Sequence, residues 1–357
     1  MKKISALLLA AVLVCSLAAC GGSSSSSSDQ GQASGGSDDG TFEGDNITLK
    51  LSHNNSTSTT VYAGLEDWIE AVSEATHGTV TIVQYPSEQL GATSDGLNML
   101  DTNVCDILWA TTGMFSNQFN YSDSFSLPFL GVTSSEAGTN AYWDVYESDL
   151  GKYIDDEFAG FKVLMSVSSE GGTIGSNYEI KQASDIKGKV VRSVAGSVSD
   201  FVSAAEASPT FMGPSDIYLN MQKGVIDAYI FEFQGISAFT LGEETPYFLD
   251  ADVYRVPHMC FMSEAAWNKL STDQQEAIMS VSGREGSLKF SELFDNEEGE
   301  YIEKIKGEGT ILTTPSEEEL ATWTDVAEKV KTAWAEKLDD GEAYIAAVEE
   351  AVAKYAE

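Results

Sequence analysis

From Asn46 onward, short apolar runs alternate with amphipathic helical patterns, and this alternation constrains the fold more than any other feature of the chain. The apolar runs are typical of β-strands. They cover residues 47–52, 79–85, 105–111, 162–169, 189–194, 210–212 and 228–233. After the first run, Val61, Leu65, Trp68, Ile69 and Val72 share one helical face. Strands that alternate with helices predict an α/β fold.

The C-terminal part of the chain is predicted to be mostly helical after Ser263, with an interruption at residues 310–314. Residues 271–274 and 316–319 fit the capping box that begins a helix. The glycine-rich residues 171–175 match no phosphate-binding motif and predict a turn. A chain of this length and pattern is expected to fold into two lobes instead of one large sheet.

The N-terminal 45 residues predict export and a lipid anchor. Two lysines precede an apolar stretch at residues 4–19, as in a secretory signal peptide. Residues 17–20 read LAAC, which resembles the bacterial lipobox and implies cleavage before Cys20 and lipidation of its sulfur. An ordinary signal peptide with a chance cysteine is the alternative. Residues 20–45 then form a lipidated cysteine and a Gly/Ser linker, which holds an extracytoplasmic domain at the membrane.

The charge balance excludes whole classes of partner. There are 56 acidic and 20 basic residues, and the formal net charge is −36. Such a surface repels nucleic acid phosphates and anionic lipids, so we expect no nucleic acid partner and membrane contact only through the anchor. After processing, Cys105 and Cys260 remain, each in an apolar run. Two buried free thiols are favoured, and a single disulfide stays open.

Signatures of catalysis and metal binding are missing from the sequence. The three histidines form no HExxH motif, and there is no GxSxG elbow and no P-loop. Ser184 and Lys187 match the SxxK pattern, but neither companion motif accompanies them. The sequence therefore predicts a protein that is not an enzyme and has no cofactor or metal.

Arginine is rare in this chain, and one arginine has an unusual setting. The three arginines are Arg192, Arg255 and Arg284. Arg192 lies in the apolar strand-like run KVVRSV. A guanidinium in such a run needs an anionic partner, and its fork matches a carboxylate with two hydrogen bonds. Either a ligand carboxylate or an acidic side chain of the protein itself could fill that role.

The surroundings of Arg192 resemble a known family. Residues 184–192 read SDIKGKVVR, which is similar to the "DLKGxKIR" strand of solute-binding proteins of tripartite ATP-independent periplasmic (TRAP) transporters. Further similar segments follow the family's order, namely residues 78–91, 106–129, 209–212, 215–218, 222–228 and 266–275. The resemblance covers roughly residues 47–335.

The resemblance implies an α/β, two-lobed periplasmic-binding-protein-like fold, with a ligand cleft between the lobes and a long helix that spans both. Lobe I is expected at about residues 46–165 plus 256–290, and lobe II at about 166–255 plus 310–357. The family delivers a small organic acid to a TRAP permease, and its carboxylate-clamping arginine falls on Arg192.

Two departures from the family pattern affect the expected ligand. Residues 162–187 contain no arginine, although the family often has a second one there. Phe231 stands where the family commonly has a carboxylate-binding asparagine. An aromatic side chain can stack on a ligand or form a wall. Both departures favour a monocarboxylate with an apolar or aromatic body.

Ligands of open α/β sheets bind at the carboxyl ends of the strands, which gives the remaining candidates. These are Asn55, Trp109, Thr111, Thr112, Ser169, Glu170, Ser215, Tyr218 and Glu232. Trp109 could instead be plain core, and Ser215 could simply cap a helix. Glu170 and Glu232 could pair with a ligand amine or face solvent.

Three other functions remain as alternatives at this point. The first is the binding protein of an ATP-driven importer, which would not depend on Arg192. The second is a surface hydrolase that uses Ser184 and Lys187, and the third is a structural lipoprotein without a ligand.

Overall fold

The computed structural model describes residues 42–115, 118–307 and 309–356. The predicted signal peptide, Cys20 and most of the linker lie outside the described residues. The strands are β1 (Ile47–Ser52), β2 (Val80–Tyr85), β3 (Ile107–Thr111), β4 (Phe161–Ser168), β5 (Gly172–Ser176), β6 (Val190–Arg192), β7 (Ser208–Thr210), β8 (Ala228–Glu232), β9 (Tyr247–Leu249), β10 (Pro257–Ser263) and β11 (Ile311–Thr313).

Helices connect these strands and cover the sheets on both faces. They are α1 (Thr60–Ala75), α2 (Gly96–Asp101), α3 (Asn120–Asp123), α4 (Ser135–Tyr146), α5 (Gly151–Glu157), α6 (Ser197–Ala204), α7 (Pro214–Gln222), α8 (Phe233–Ala238), α9 (Glu264–Trp267), α10 (Thr272–Ser280), α11 (Gly283–Gly307), α12 (Glu317–Ala335) and α13 (Gly341–Lys354). The capping boxes predicted before α10 and α12 are both present.

The strands form two mixed sheets. The first has the order β2-β1-β3-β10-β4, and the second has the order β11-β9-β5-β8-β6-β7. β1 and β3 run parallel in the first sheet, as do β6 and β8 in the second, so each sheet has an edge where the carboxyl ends of strands meet. The chain passes from the first sheet to the second between β4 and β5 and returns between β9 and β10. The predicted two-lobed α/β architecture is confirmed.

Helix α11 spans both sheets with its 25 residues. Near its start, Phe290 and Phe294 are buried in the core of the first sheet. Near its end, Ile305 is buried in the core of the second sheet. Between these ends, Asp295 accepts a hydrogen bond of 2.6 Å from the backbone N–H of Ser135 at the start of α4. The predicted lobe-spanning helix is therefore confirmed.

The C-terminal helices contact elements around both sheets. Helix α12 packs against α6, which follows the second sheet's β6, and α13 packs against α4, which covers β4 of the first sheet. The boundaries given above for the two lobes stay a prediction.

The glycine-rich segment is a strand and not the predicted turn. Gly172–Ser176 forms β5, which pairs antiparallel with β8 and β9 in the middle of the second sheet. Its glycines are needed because the rings of Tyr254 and Tyr229 lie directly against Gly172 and Gly175, where a Cβ atom would clash. The sequence pattern also missed the short strand β9.

Cys105 and Cys260 are buried free thiols, as the sequence favoured. Burial raises the pKa of both thiols, which keeps them protonated and unreactive.

Candidate functional site

Arg192 ends strand β6 and is buried, with 2% of its surface exposed. Its Nε donates to the carbonyl oxygen of Met212 at 3.3 Å, and its Nη1 donates to that of Ile230 at 3.0 Å. The guanidinium carbon lies 4.8 Å from the centre of the Phe231 ring, in cation–π contact. A guanidinium has five N–H donors. Within the described residues, two are used, so three remain on Nη1 and Nη2, the pair that forms a bidentate fork.

The other two arginines are already paired with acids, and this distinguishes Arg192. Arg255 binds Asp252 at 2.8 Å and Glu298 at 3.1 Å. Arg284 binds Asp144 and Glu147 on the protein surface. Among the described residues, no acidic side chain forms an ion pair with Arg192. Arg192 is therefore not paired with an acid of the protein itself, which was the alternative that the sequence left open.

Burial and two neighbouring side chains influence the pKa of the Arg192 guanidinium. Burial lowers the pKa of the guanidinium, whereas Tyr254 and Glu232 nearby raise it. Glu232 is the last residue of β8, and its carboxylate accepts a hydrogen bond of 2.8 Å from the Tyr254 hydroxyl. Burial raises the pKa of the Glu232 carboxyl, and Arg192 counteracts that effect.

Glu170 is a second acid in this region, and unlike Glu232 it is buried. It follows β4 at the crossing between the sheets, and only 3% of its surface is exposed. Its Oε1 is buried without a hydrogen-bond partner. Burial, followed by repulsion from Glu232 and Glu298, raises the pKa of Glu170 to about 8. Of the two acids that were expected either at a ligand amine or in solvent, Glu170 is therefore inside the protein and Glu232 is half-buried.

The carboxyl ends of β3 and β6 meet at Asp123, the last residue of α3. Its carboxylate accepts a hydrogen bond of 3.1 Å from the Thr112 hydroxyl, just after β3. It also accepts one of 3.1 Å from the backbone N–H of Ser197, at the start of α6. Gly196 has φ 75°, and a side chain there would displace the carboxylate. This contact joins the two lobes at the edge on which Arg192 lies.

Burial raises the pKa of Asp123 from 3.8 to about 6, which makes a pH dependence of stability testable. From about pH 4 to pH 6 the unfolded chain has already released this proton while the folded protein still holds it, so stability falls as pH rises. The Asp123→Asn variant has no ionisable carboxyl group at this position, so this contribution to the pH dependence of stability is absent. We expect the unfolding free energy of the wild type, relative to the variant, to decrease over that range in urea titrations.

The exposed Asp149 provides the control for this experiment. Asp149→Asn should leave the pH profile of the wild type unchanged. A wild-type profile parallel to that of Asp123→Asn from pH 4 to pH 6 would show that Asp123 ionises normally in the folded state.

Trp109 and Ser169 pack and hydrogen-bond inside the protein, and two of the predicted ligand contacts are corrected accordingly. Trp109 is fully buried, and its ring stacks on Phe290 of α11 and on His258 of β10. It is core and not a wall of the cleft, because α11 covers that face of the sheet. The Ser169 hydroxyl donates to the Glu170 carbonyl and accepts from the backbone N–H of Val256, so it fixes the crossing between the sheets.

Four other predicted residues are not brought into contact with Arg192. Asn55 is part of the loop after β1, where its amide binds Asn54. Thr111 ends β3, and Ser215 is exposed in the first turn of α7. The Tyr218 hydroxyl points toward Glu243 and Glu244, at 3.4 and 3.2 Å. Phe231 and Glu232 are the predicted residues that do adjoin Arg192.

Sequence reasoning missed Asp123 and Tyr254. A signal existed for Asp123, because it is the only charged residue between positions 107 and 135. Tyr254 had no comparable signal, since its role depends on a hydrogen bond to Glu232 of β8, 22 residues earlier in the chain.

Comparison with known families now identifies the class of protein. The model of the family "bacterial extracellular solute-binding protein, family 7" matches residues 51–337. The chain belongs to this family. A curated relative, the sialic acid-binding periplasmic protein SiaP of Vibrio cholerae, is 23% identical over 272 residues, which are 75% of this chain and 83% of SiaP.

Solved structures of TRAP solute-binding proteins share the fold. A marine metagenome TRAP solute-binding protein specific for aromatic acid ligands has a TM-score of 0.79 at 22% identity, covering 87% of this chain and 99% of that one. A TRAP solute-binding protein from Rhodoferax ferrireducens, in complex with copurified benzoate, has a TM-score of 0.78 at 23% identity, covering 87% and 98%.

Membership of family 7 confirms the predicted TRAP solute-binding protein and excludes the hydrolase, since the family consists of extracellular binding proteins and not of enzymes. In the part of the chain that the structure describes, no helix has both the length and the apolar character to cross a bilayer.

Proposed function

We propose that this protein captures a small organic acid outside the cytoplasm, holds its carboxylate on Arg192, and delivers it to a TRAP permease. The observation that carries the proposal is a buried guanidinium with three unused N–H donors and no ion-pair partner among the described residues. Burying a charge without a partner is costly, so such a group is best explained by an anion that arrives from outside.

The ligand we propose is a monocarboxylate with an apolar or aromatic body. Phe231 adjoins the guanidinium and offers an apolar face where the family commonly has an asparagine. Among similar folds, the Rhodoferax protein holds benzoate, and a Bordetella bronchiseptica protein holds both enantiomers of mandelate. Their identity to this chain is low, and they support the aromatic acid by analogy of fold alone.

The proposed location follows from the N-terminal sequence. Cleavage before Cys20 and lipidation of its sulfur would anchor the binding domain through the Gly/Ser linker. Residues 46–357 would then carry the two lobes, with the boundaries predicted above. Globomycin, which blocks cleavage of lipid-modified precursors, should make a larger, uncleaved form accumulate in the membrane fraction, and Cys20→Ala should abolish incorporation of labelled palmitate. A mature protein that carries no labelled palmitate would contradict the anchor.

A thermal-shift screen of organic acids tests the proposed function. The panel contains benzoate, mandelate, phenylacetate, phenylpropanoate, lactate and succinate, with glucose as a neutral sugar and spermidine as a cation. A ligand present at about 100 times its dissociation constant should stabilise the protein by roughly 2.7 kcal/mol. Stabilisation by one or more monocarboxylates supports the proposal, and stabilisation by neutral sugars or cations alone contradicts it.

The Phe231 ring should contribute to affinity. In Phe231→Leu the cation–π contact of the guanidinium and the flat apolar wall are lost, and such contacts are worth about 0.5–2 kcal/mol. We expect ligand affinity to fall about 2- to 30-fold in titration calorimetry. Phe239→Leu is the matched control, because Phe239 contacts the Phe231 ring from a more exposed position. Equal ligand affinities for the wild type and Phe231→Leu would show that the Phe231 ring does not contribute to binding.

A further inference from the structure

Two acids, the buried Glu170 and the half-buried Glu232, accompany the guanidinium of Arg192, and neither forms an ion pair within the described residues. Glu232 lies next to Arg192 and has the Tyr254 hydroxyl as its hydrogen-bond donor. Glu170 is close enough to Glu232 for the two carboxyls to repel each other, and its Oε1 is buried without a partner. A buried acceptor without a donor is uncommon in folded proteins and calls for an explanation.

Without a ligand, the charges around these acids balance only while Glu170 keeps its proton. Arg255, the cation that acts on Glu170, already binds both Asp252 and Glu298. Arg192 acts on Glu232, so within the described residues no unpaired cation is left for an ionised Glu170. A simple monocarboxylate would bring a third carboxyl group into this region and leave the two acids with no further donor. A ligand with both a carboxylate and a positive charge provides a partner for Arg192 and a partner for the two acids.

We propose that the ligand is a zwitterion, an amino acid or a similarly small amino acid analogue, whose carboxylate binds Arg192 while its ammonium group binds Glu232 and Glu170. This inference rests on the proposed carboxylate site and narrows the ligand class within it. An ammonium group has three donors, which suits the unpartnered Oε1 of Glu170 and the carboxylate of Glu232. Phe231 then contacts the apolar part of the ligand.

Proton release gives the proposal a direct thermodynamic signature. The groups that influence Glu170 come from several elements, namely Glu232, Tyr254, Arg255, Glu298 and Tyr301. Without ligand, Glu170 is largely protonated at pH 7, since its pKa is raised to about 8. An ammonium group favours the ionised carboxylate, so binding should release about one proton.

Three matched series of probes test the proposal by titration calorimetry. They are alanine, lactate and propanoate; phenylalanine, phenyllactate and hydrocinnamate; and γ-aminobutyrate, γ-hydroxybutyrate and butyrate. Within each series the carboxylate and carbon chain are kept, and only the amine is replaced by a hydroxyl or a hydrogen. We expect the amine to bind at least about tenfold more tightly than both partners in one or more series, because a charged hydrogen bond at a buried site is strong. Titrations in buffers of different ionisation enthalpy should show proton release for that amine alone.

The variants separate this inference from the proposed function. Glu170→Gln and Glu232→Gln should remove the preference for the amine, and Glu170→Gln should also abolish the proton release. The exposed Glu318→Gln is the control and should change neither the preference for the amine nor the proton release.

Tighter binding of a deaminated acid that still requires Arg192 would overturn the zwitterion and leave the carboxylate site intact. Binding that is insensitive to Arg192→Ala would overturn the proposed function itself. An absence of binding throughout the three series would also overturn the zwitterion.

Discussion

Arg192→Ala should abolish useful ligand binding. The guanidinium is buried, and its free N–H donors would face the ligand's carboxylate. Removing one partner of a buried, hydrogen-bonded charge pair costs about 2–5 kcal/mol. We therefore expect affinity to fall ~30- to several-thousand-fold in titration calorimetry with the acid that gives the largest thermal shift. The protein should still fold, because Arg192 neutralises no acid through a salt bridge in the described structure.

The conservative variant tests geometry separately from charge. Arg192→Lys keeps the positive charge but loses the planar fork, so it should bind poorly as well. Arg284→Ala is the matched control, because it removes an arginine that pairs with Asp144 and Glu147 on the surface. Wild-type affinity in both Arg192 variants would show that the carboxylate is held elsewhere.

Glu298→Ala should destabilise the whole domain. Glu298 lies on α11 and accepts hydrogen bonds of 3.1 Å from both Nη1 and Nη2 of Arg255, which is buried. Arg255 also donates to the carbonyl oxygen of Ser169 at the crossing between the sheets. Breaking a buried pair by removing one partner costs about 3–5 kcal/mol. Because Asp252 remains as a partner, we expect a loss of about 3 kcal/mol in urea unfolding.

A double variant shows whether the loss comes from the unpaired charge. Arg255→Met combined with Glu298→Leu removes both charges of this pair and keeps comparable volume; in the background of Asp252→Asn it leaves no charge of the group unpaired, and such replacements are often near neutral. The double variant should therefore be more stable than Glu298→Ala. A loss below about 1 kcal/mol in Glu298→Ala would mean that the pair behaves like an ordinary surface salt bridge.

The sequence predicted much of the fold because its patterns are local. β1 was predicted with the observed bounds, and the buried face of α1 follows the predicted spacing at Val61, Leu65, Trp68 and Val72. β5 was predicted as a turn because glycine usually marks one. Here Gly175 makes room for the ring of Tyr229 in β8, and Gly172 for the ring of Tyr254 between β9 and β10, which no local pattern records.

The site was predictable where one residue stood out and unpredictable where the chemistry depends on distant contacts. Arg192 could be found because an arginine is rare here and sits in an apolar run. The environments of Glu170 and Glu232 depend on Tyr254, Arg255 and α11, which are far away in the chain. In so acidic a sequence, solvent-facing and buried acids look alike until the fold places them.

A crystal structure of the protein with its co-purified ligand tests the carboxylate site most directly. The ligand's carboxylate should lie between the two sheets, with its oxygens within about 3.2 Å of the Nη1 and Nη2 atoms of Arg192. A ligand whose acid group is held by other residues, while the Arg192 guanidinium touches only the protein's own carbonyl groups, would contradict that site.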